Sequence, residues 1–166
     1  MAPGLRDSNF LLYNHESYFM EPKIFESNNN EETFIIGKNI GLQAKSGDVI
    51  TLIGDLGCGK TVLAKGIAVG LGIDELISSP TFVILHQYDS GRIPLNHFDV
   101  YRISDIREMD ETGYYEYIYG DGITLIEWAD LIEEILPAEY IKIEIRKDSD
   151  KGFDYRLITV SEITQI

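Results

Sequence analysis

Apolar residues in this chain gather into short runs separated by polar turns. The clearest run, Val49-Ile50-Thr51-Leu52-Ile53, follows the turn Ser46-Gly47-Asp48 and has the pattern of a strand buried on both faces. Ile123-Thr124-Leu125-Ile126, ending on Glu127, repeats that pattern. Runs at 82–88 and 93–100 flank Asp89-Ser90-Gly91-Arg92, a hairpin signal; runs at 140–146 and 155–160 flank a polar turn from Asp148 to Gly152. A shorter strand, Lys23–Ser27, is broken by Asn28-Asn29-Asn30.

Helical stretches lie between these runs. Asn29 with Glu32 three positions later resembles a capping box and predicts a helix to about residue 44, with Ile36 and Ile40 on one face. Gly37 and Gly41 count against it, since each costs about 1 kcal/mol relative to alanine. A helix is expected over 61–71, closed by Gly72, and another over 129–136, stopped by Pro137. Residues 104–119 read as largely helical, in two pieces broken at Gly113. Strands alternating with helices predict the α/β class: a single domain with a mixed central sheet flanked by helices, its antiparallel portions supplied by the two hairpins. Residues 1–19 show no clear period. They are read as an N-terminal extension, non-native or disordered, ahead of a start at Met20, which leaves 20–166 as the domain.

Bulk properties narrow the function. The length of 166 residues suits one domain, and 44% hydrophobic with 25% charged residues is ordinary for a globular protein. No apolar run approaches the roughly 18 residues of a membrane span. The N-terminus lacks the pattern of a secretory signal. A soluble, cytoplasmic protein is expected, without a membrane role. The single cysteine, Cys58, excludes an internal disulfide framework. A net charge of −14 argues against binding DNA or free RNA, because an acidic surface repels phosphate backbones.

Against that field, one segment is built for an anion. Gly54-Asp55-Leu56-Gly57-Cys58-Gly59-Lys60-Thr61 matches G-x-x-x-x-G-K-[ST] in full, after a buried strand and before a helix. A loop that wraps a phosphate needs converging backbone N–H groups, which glycine permits most easily. The following helix, Val62 in its first turn, points its positive end at the same anion. Lys60 is expected on the β- and γ-phosphates and the Thr61 hydroxyl on magnesium. Such a P-loop needs an acid at a neighbouring strand end, and both Asp99 and Glu127 qualify. Ser79-Pro80-Thr81-Phe82 reads either as a loop folding over the γ-phosphate, with Thr81 offering oxygen to the metal, or equally as a plain turn. His97 reads as a packed or hydrogen-bonded histidine. Tyr114, Tyr115, Tyr117 and Tyr119 read as helix packing or as a docking surface.

Four segments together resemble one family: Gly-Asp-Leu-Gly-x-Gly-Lys-Thr at 54–61, Ser-Pro-Thr-Phe at 79–82, His-Phe-Asp-Val-Tyr-Arg at 97–102 and Ile-Glu-Trp at 126–128 occur in the order and spacing of the TsaE family. These are bacterial P-loop ATPases needed to make threonylcarbamoyladenosine in tRNA. The resemblance implies ATP, with ADP after hydrolysis, and Mg2+. It implies that Lys60 and Thr61 hold phosphate and magnesium, that Asp99 serves hydrolysis, and that Glu127 ligates or positions the metal. It places Asn30 near the base and Asp130 at the nucleotide, and it calls for a basic residue in the last hairpin, for which Lys151 is the nearest candidate. Cys58 stands where relatives usually carry alanine. The implied partners are the TsaB and TsaD proteins, with tRNA only indirectly involved.

Two rivals share the loop. A small-molecule kinase usually needs an arginine-bearing lid, whereas the six arginines here are not clustered in sequence. A GTP-dependent switch usually reads guanine through Asn-Lys-x-Asp, which is lacking in this chain.

Overall fold

The run Val49–Ile53 is the middle strand of a seven-stranded sheet. The computed structural model describes residues 21–165; the reading of residues 1–19 as an extension falls outside them. The strands are β1 (Lys23–Ser27), β2 (Val49–Ile53), β3 (Leu85–Tyr88), β4 (Leu95–Asp99), β5 (Ile123–Glu127), β6 (Glu139–Lys147) and β7 (Arg156–Thr164). The helices are α1 (Asn30–Gln43), α2 (Lys60–Gly70), α3 (Glu108–Glu111) and α4 (Tyr114–Ile118), with a 3-10 segment at Ala129–Ile135. Strand order is β1-β7-β6-β2-β5-β4-β3. The pairs β2–β5, β2–β6 and β4–β5 are parallel, and the flanking pairs β1–β7, β6–β7 and β3–β4 are antiparallel. This is the mixed α/β sheet expected from the sequence.

Both faces of the sheet are covered, which is why β2 and β5 are apolar almost throughout. On one face Leu52, Leu125 and Ile143 pack beneath Leu63 and Ile67 of α2. On the other, Val49, Phe98 and Ile126 pack against Met109, Tyr114 and Ile132. The Tyr114 side chain is fully buried, so at that position the tyrosine run is packing.

The helix α1 starts as its capping box predicts. The Asn29 side chain accepts from the Glu32 N–H at 2.8 Å, and Glu32 accepts from the Asn28 N–H at 2.7 Å. The glycines that counted against this helix have a packing reason. A methyl group at Gly37 would lie 2.3 Å from the Leu63 carbonyl oxygen of α2, and one at Gly41 would lie 2.1 Å from that of Ile67. Gly66 and Gly70 face α1 the same way, 2.2 Å from the Phe34 and Lys38 oxygens. The two helices touch backbone to backbone, and tertiary contact outweighs helix propensity.

Beyond shifts of a few residues at strand ends, three stretches differ from the sequence reading. Residues 82–84 are a turn: the Pro80 carbonyl accepts from the N–H of Val83 at 3.1 Å and of Ile84 at 2.7 Å, and Ile84 is left-handed at φ 67°. That turn consumes the N–H groups of Val83 and Ile84, leaving only the Ile84 carbonyl to meet the Asp99 N–H, so β3 begins only at Leu85. The 104–119 stretch keeps only α3 and α4, parted by Gly113 at φ 74°. Ala129–Ile135 is a 3-10 segment, kinked at Ile132. Among the described residues no helix is long and apolar enough to cross a membrane.

Candidate functional site

The parallel strands deliver their C-terminal ends to one edge of the sheet, the place where open α/β sheets present ligand sites. β2 runs into the glycine-rich loop, and the ends of β4 and β5 are register partners, Asp99 beside Glu127. A cavity of about 590 Å³ opens there, lined among others by Asn30, Lys60, Thr61, Val62, Thr81, Asp99, Glu127, Trp128 and Arg156.

Within the loop, Gly57 lies at φ 74°, a left-handed backbone that side chains resist. At Gly59 the demand is also spatial, since a methyl group would come 2.7 Å from Arg156 Nε. Gly59 caps α2 with no side chain, and the first N–H of the helix answered from within the chain is that of Leu63, by the Gly59 carbonyl at 3.0 Å. Among the described residues no acceptor meets the N–H groups of the first turn, from Lys60 to Val62, the groups that a helix start offers to an anion. Leu56, Gly57 and Gly59 also line the cavity. Gly54 and Asp55 contribute through their carbonyls, which accept from Lys60 Nζ at 2.5 and 2.9 Å. Cys58 is buried, its sulfur 3.8 Å from the same ammonium.

The Lys60 side chain is therefore folded back onto its own loop, and its ammonium also lies 3.7 Å from the centre of the Trp128 ring. Trp128 reaches it because the chain leaves β5 in the left-handed conformation, φ 63°. Tyr101 packs against the indole at 4.7 Å between ring centres.

The two strand-end acids are buried and differently engaged. Asp99 Oδ2 accepts from Ser79 Oγ at 2.5 Å and Thr81 Oγ1 at 2.9 Å, while Oδ1 accepts from the Tyr101 N–H at 3.0 Å. The Thr81 hydroxyl is thus committed to Asp99. Among the described residues the Glu127 carboxylate makes one side-chain hydrogen bond, 2.9 Å from Oε1 to His97 Nε2. His97 is fully buried and hydrogen-bonded, as its alternation in the strand suggested.

Two candidates from the sequence do not join this cavity. Lys151 lies outside it, donating at 3.0 Å to both Glu26 and Tyr155. The Tyr155 hydroxyl and Glu26 carboxylate together raise its pKa, and the same tyrosine and lysine lower that of Glu26. Asp130 lines a separate cavity of about 210 Å³ with Glu133, Tyr140 and Lys142. The 3-10 segment turns Asp130 away from the strand edge that carries Glu127.

The basic residue that does reach the cavity from the last hairpin is Arg156. It is 4% exposed, and it donates to the Cys58 carbonyl at 2.8 Å, the Asp154 carbonyl at 2.9 Å and Asn30 Oδ1 at 2.7 Å. Its signal in the sequence is an arginine at the head of the last strand in chain order, β7, which pairs with both β6 and β1. Lys60 and Arg156 are both buried, and among the described residues neither meets a carboxylate. Buried cations held only by neutral acceptors, beside open helix N–H groups, form a site suited to a polyanion.

Comparison with known proteins agrees with this geometry. Residues 27–157 match the family model described as threonylcarbamoyl adenosine biosynthesis protein TsaE. The chain is 49% identical over 135 residues to the tRNA threonylcarbamoyladenosine biosynthesis protein TsaE of Bacillus subtilis, covering 81% of this chain and 82% of that one. It is 39% identical over 135 residues to the protein of the same name from Treponema pallidum, covering 81% and 97%. The crystal structure of Bacillus subtilis YdiB superposes with a TM-score of 0.74 at 42% identity, covering 89% of each chain.

Proposed function

From the premise that this chain belongs to the TsaE family, with its role in tRNA threonylcarbamoyladenosine biosynthesis, we propose that it is a magnesium-dependent ATPase acting on the TsaB and TsaD partners of a tRNA-modifying complex. The observation that carries the reading is the convergence of Lys60, Thr61, Asp99 and Glu127 on one cavity beside the open start of α2. ATP would supply a polyanion for the two buried cations that neutral acceptors now hold, and a role in tRNA modification supports a cytoplasmic site of work.

The roles follow from position. Backbone N–H groups from Lys60 to Val62 take up phosphate oxygens, and Lys60 exchanges its loop carbonyls for phosphate. Arg156 bridges the loop to Asn30 and adds positive potential. Thr61 and Glu127 present the hard oxygen donors that magnesium prefers. Among the described residues no three His, Cys, Asp or Glu side chains could hold a metal together, so Thr61 and Glu127 would hold magnesium jointly with a bound nucleotide. The chemistry magnesium would supply there is neutralisation of the charge that develops on the phosphoryl group. Asp99 holds Ser79 and Thr81, and through them the loop over the cavity.

The acidic surface fits a protein that meets partners rather than RNA. The test is a hydrolysis assay with ATP and GTP, with and without the TsaB–TsaD pair. Hydrolysis of ATP that rises with the pair is expected. GTP turnover of equal rate, or phosphoryl transfer to a small-molecule acceptor, would replace this reading with one of its rivals.

A further inference from the structure

We propose that His97 is a positioning residue that fixes the Glu127 carboxylate for its metal, an inference that rests on the reading of Glu127 as the magnesium carboxylate. His97 stands two residues before Asp99 on β4, and Asp99 is the register partner of Glu127. The pleat therefore puts the imidazole on the same face of the sheet as the Glu127 side chain, one step deeper. Nε2 meets Oε1 at 2.9 Å with both groups buried. The other carboxylate oxygen, Oε2, accepts no hydrogen bond among the described residues and is left to the cavity that Glu127 lines.

The second ring nitrogen shows that packing alone does not account for the histidine. Nδ1 is the only buried side-chain nitrogen or oxygen without a partner among the described residues. An apolar residue would fill this place with no orphaned atom, as Leu95 and Leu125 do on the same face of the sheet. The orphan also fixes the tautomer. In the neutral ring a proton on Nδ1 would be a buried donor facing no acceptor and would leave Nε2 unable to donate to Oε1, so the single proton belongs on Nε2. The arrangement inverts the usual metal-site pattern, in which a carboxylate steadies a ligating histidine. Here the histidine steadies the carboxylate and removes one of its two oxygens from competition.

The inference is tested with the full chain bound to ADP, using Mn2+ as the probe and electron paramagnetic resonance to count the free ion. Three variants are compared with wild type: Glu127→Ala, His97→Gln and His97→Asn. Glutamine carries its amide nitrogen about where Nε2 stands, while asparagine carries its own near Nδ1 and falls short of Oε1. Loss of the contact is expected to weaken Mn2+ binding about tenfold in His97→Asn, with His97→Gln within about threefold of wild type. Metal-free ADP affinity should hold within about twofold in both. Equal Mn2+ affinity in the two histidine variants overturns the positioning role. If Glu127→Ala weakens Mn2+ binding but His97→Asn does not, the reading of Glu127 stands and only this inference fails. If Glu127→Ala has no effect, the metal reading of Glu127 fails and takes the inference with it. Nitrogen NMR of histidine-labelled wild type adds a check that needs no variant: a protonated Nε2 is expected, and a protonated Nδ1 overturns the proposal.

Discussion

The ammonium of Lys60 rests 3.7 Å above the Trp128 ring while bonded to the carbonyls of Gly54 and Asp55. The chain's single tryptophan therefore touches the lysine that the proposed function moves onto phosphate. Titration with ATP and magnesium should change the intrinsic fluorescence in a saturable way. In Lys60→Ala the same change should need at least about tenfold more nucleotide, since a charge-assisted phosphate contact is lost. A flat titration with binding confirmed by calorimetry would show that the indole does not sense the site.

Asp99 and Glu127 are neighbours in register but hold different things, and their alanine variants should differ accordingly. Both should keep nucleotide affinity within a few-fold and lose at least about tenfold in hydrolysis within the full assembly. Only Asp99→Ala frees Ser79 and Thr81, so only it should speed hydrogen exchange across residues 79–84. Equal exchange in the two variants would count against the anchoring role.

Arg156 ties together three segments far apart in sequence. Replacement by alanine leaves the Cys58 and Asp154 carbonyls and the Asn30 amide without their donor. A loss of about 2 kcal/mol or more in urea unfolding is expected, from bonds made by a charged group. Nucleotide affinity should fall with it, whereas Lys151→Ala, on the exposed Glu26 pair, should leave that affinity unchanged.

Glycine-to-alanine changes in α1 should destabilise, against the helix-propensity trend. At Gly37 or Gly41 the new methyl meets a backbone oxygen of α2 at 2.3 or 2.1 Å, and backbone has little room to give. A loss of roughly 1–3 kcal/mol is expected in denaturant unfolding. A stabilised variant would show that the helices separate at little cost.

The isolated chain should not shift tRNA in a gel at physiological salt. With a net charge of −14 it offers no counterion release to drive the contact. A micromolar shift without partners would point to direct RNA recognition.

The local parts of this site were legible in the sequence because their chemistry is contiguous. The loop at 54–61 and the acids ending two apolar runs need only a strand–loop–helix pattern to be read. What pairing adds was hidden: His97 meets Glu127 across 30 positions, and Arg156 meets Cys58 across 98. The run at 82–84 misled for the opposite reason. Phe82 and Val83 are apolar but 85% and 59% exposed, because the Pro80 carbonyl turns the chain before it reaches the sheet. The α1 glycines were weighed by propensity alone, since the facing glycines lie on another helix.

The grip of Arg156 on the Cys58 carbonyl also sets an order of events during synthesis on the ribosome. The 98 positions between them take on the order of 5–20 s to translate. For that interval the glycine-rich loop exists as sequence without the guanidinium that braces it, and the neighbouring strand β6 has no β7 to pair with. A nascent chain that has made the whole loop, both strand-end acids and the tryptophan still lacks its brace until the final strand emerges. The brace on the glycine-rich loop thus arrives only with β7, the last strand of the sheet in chain order.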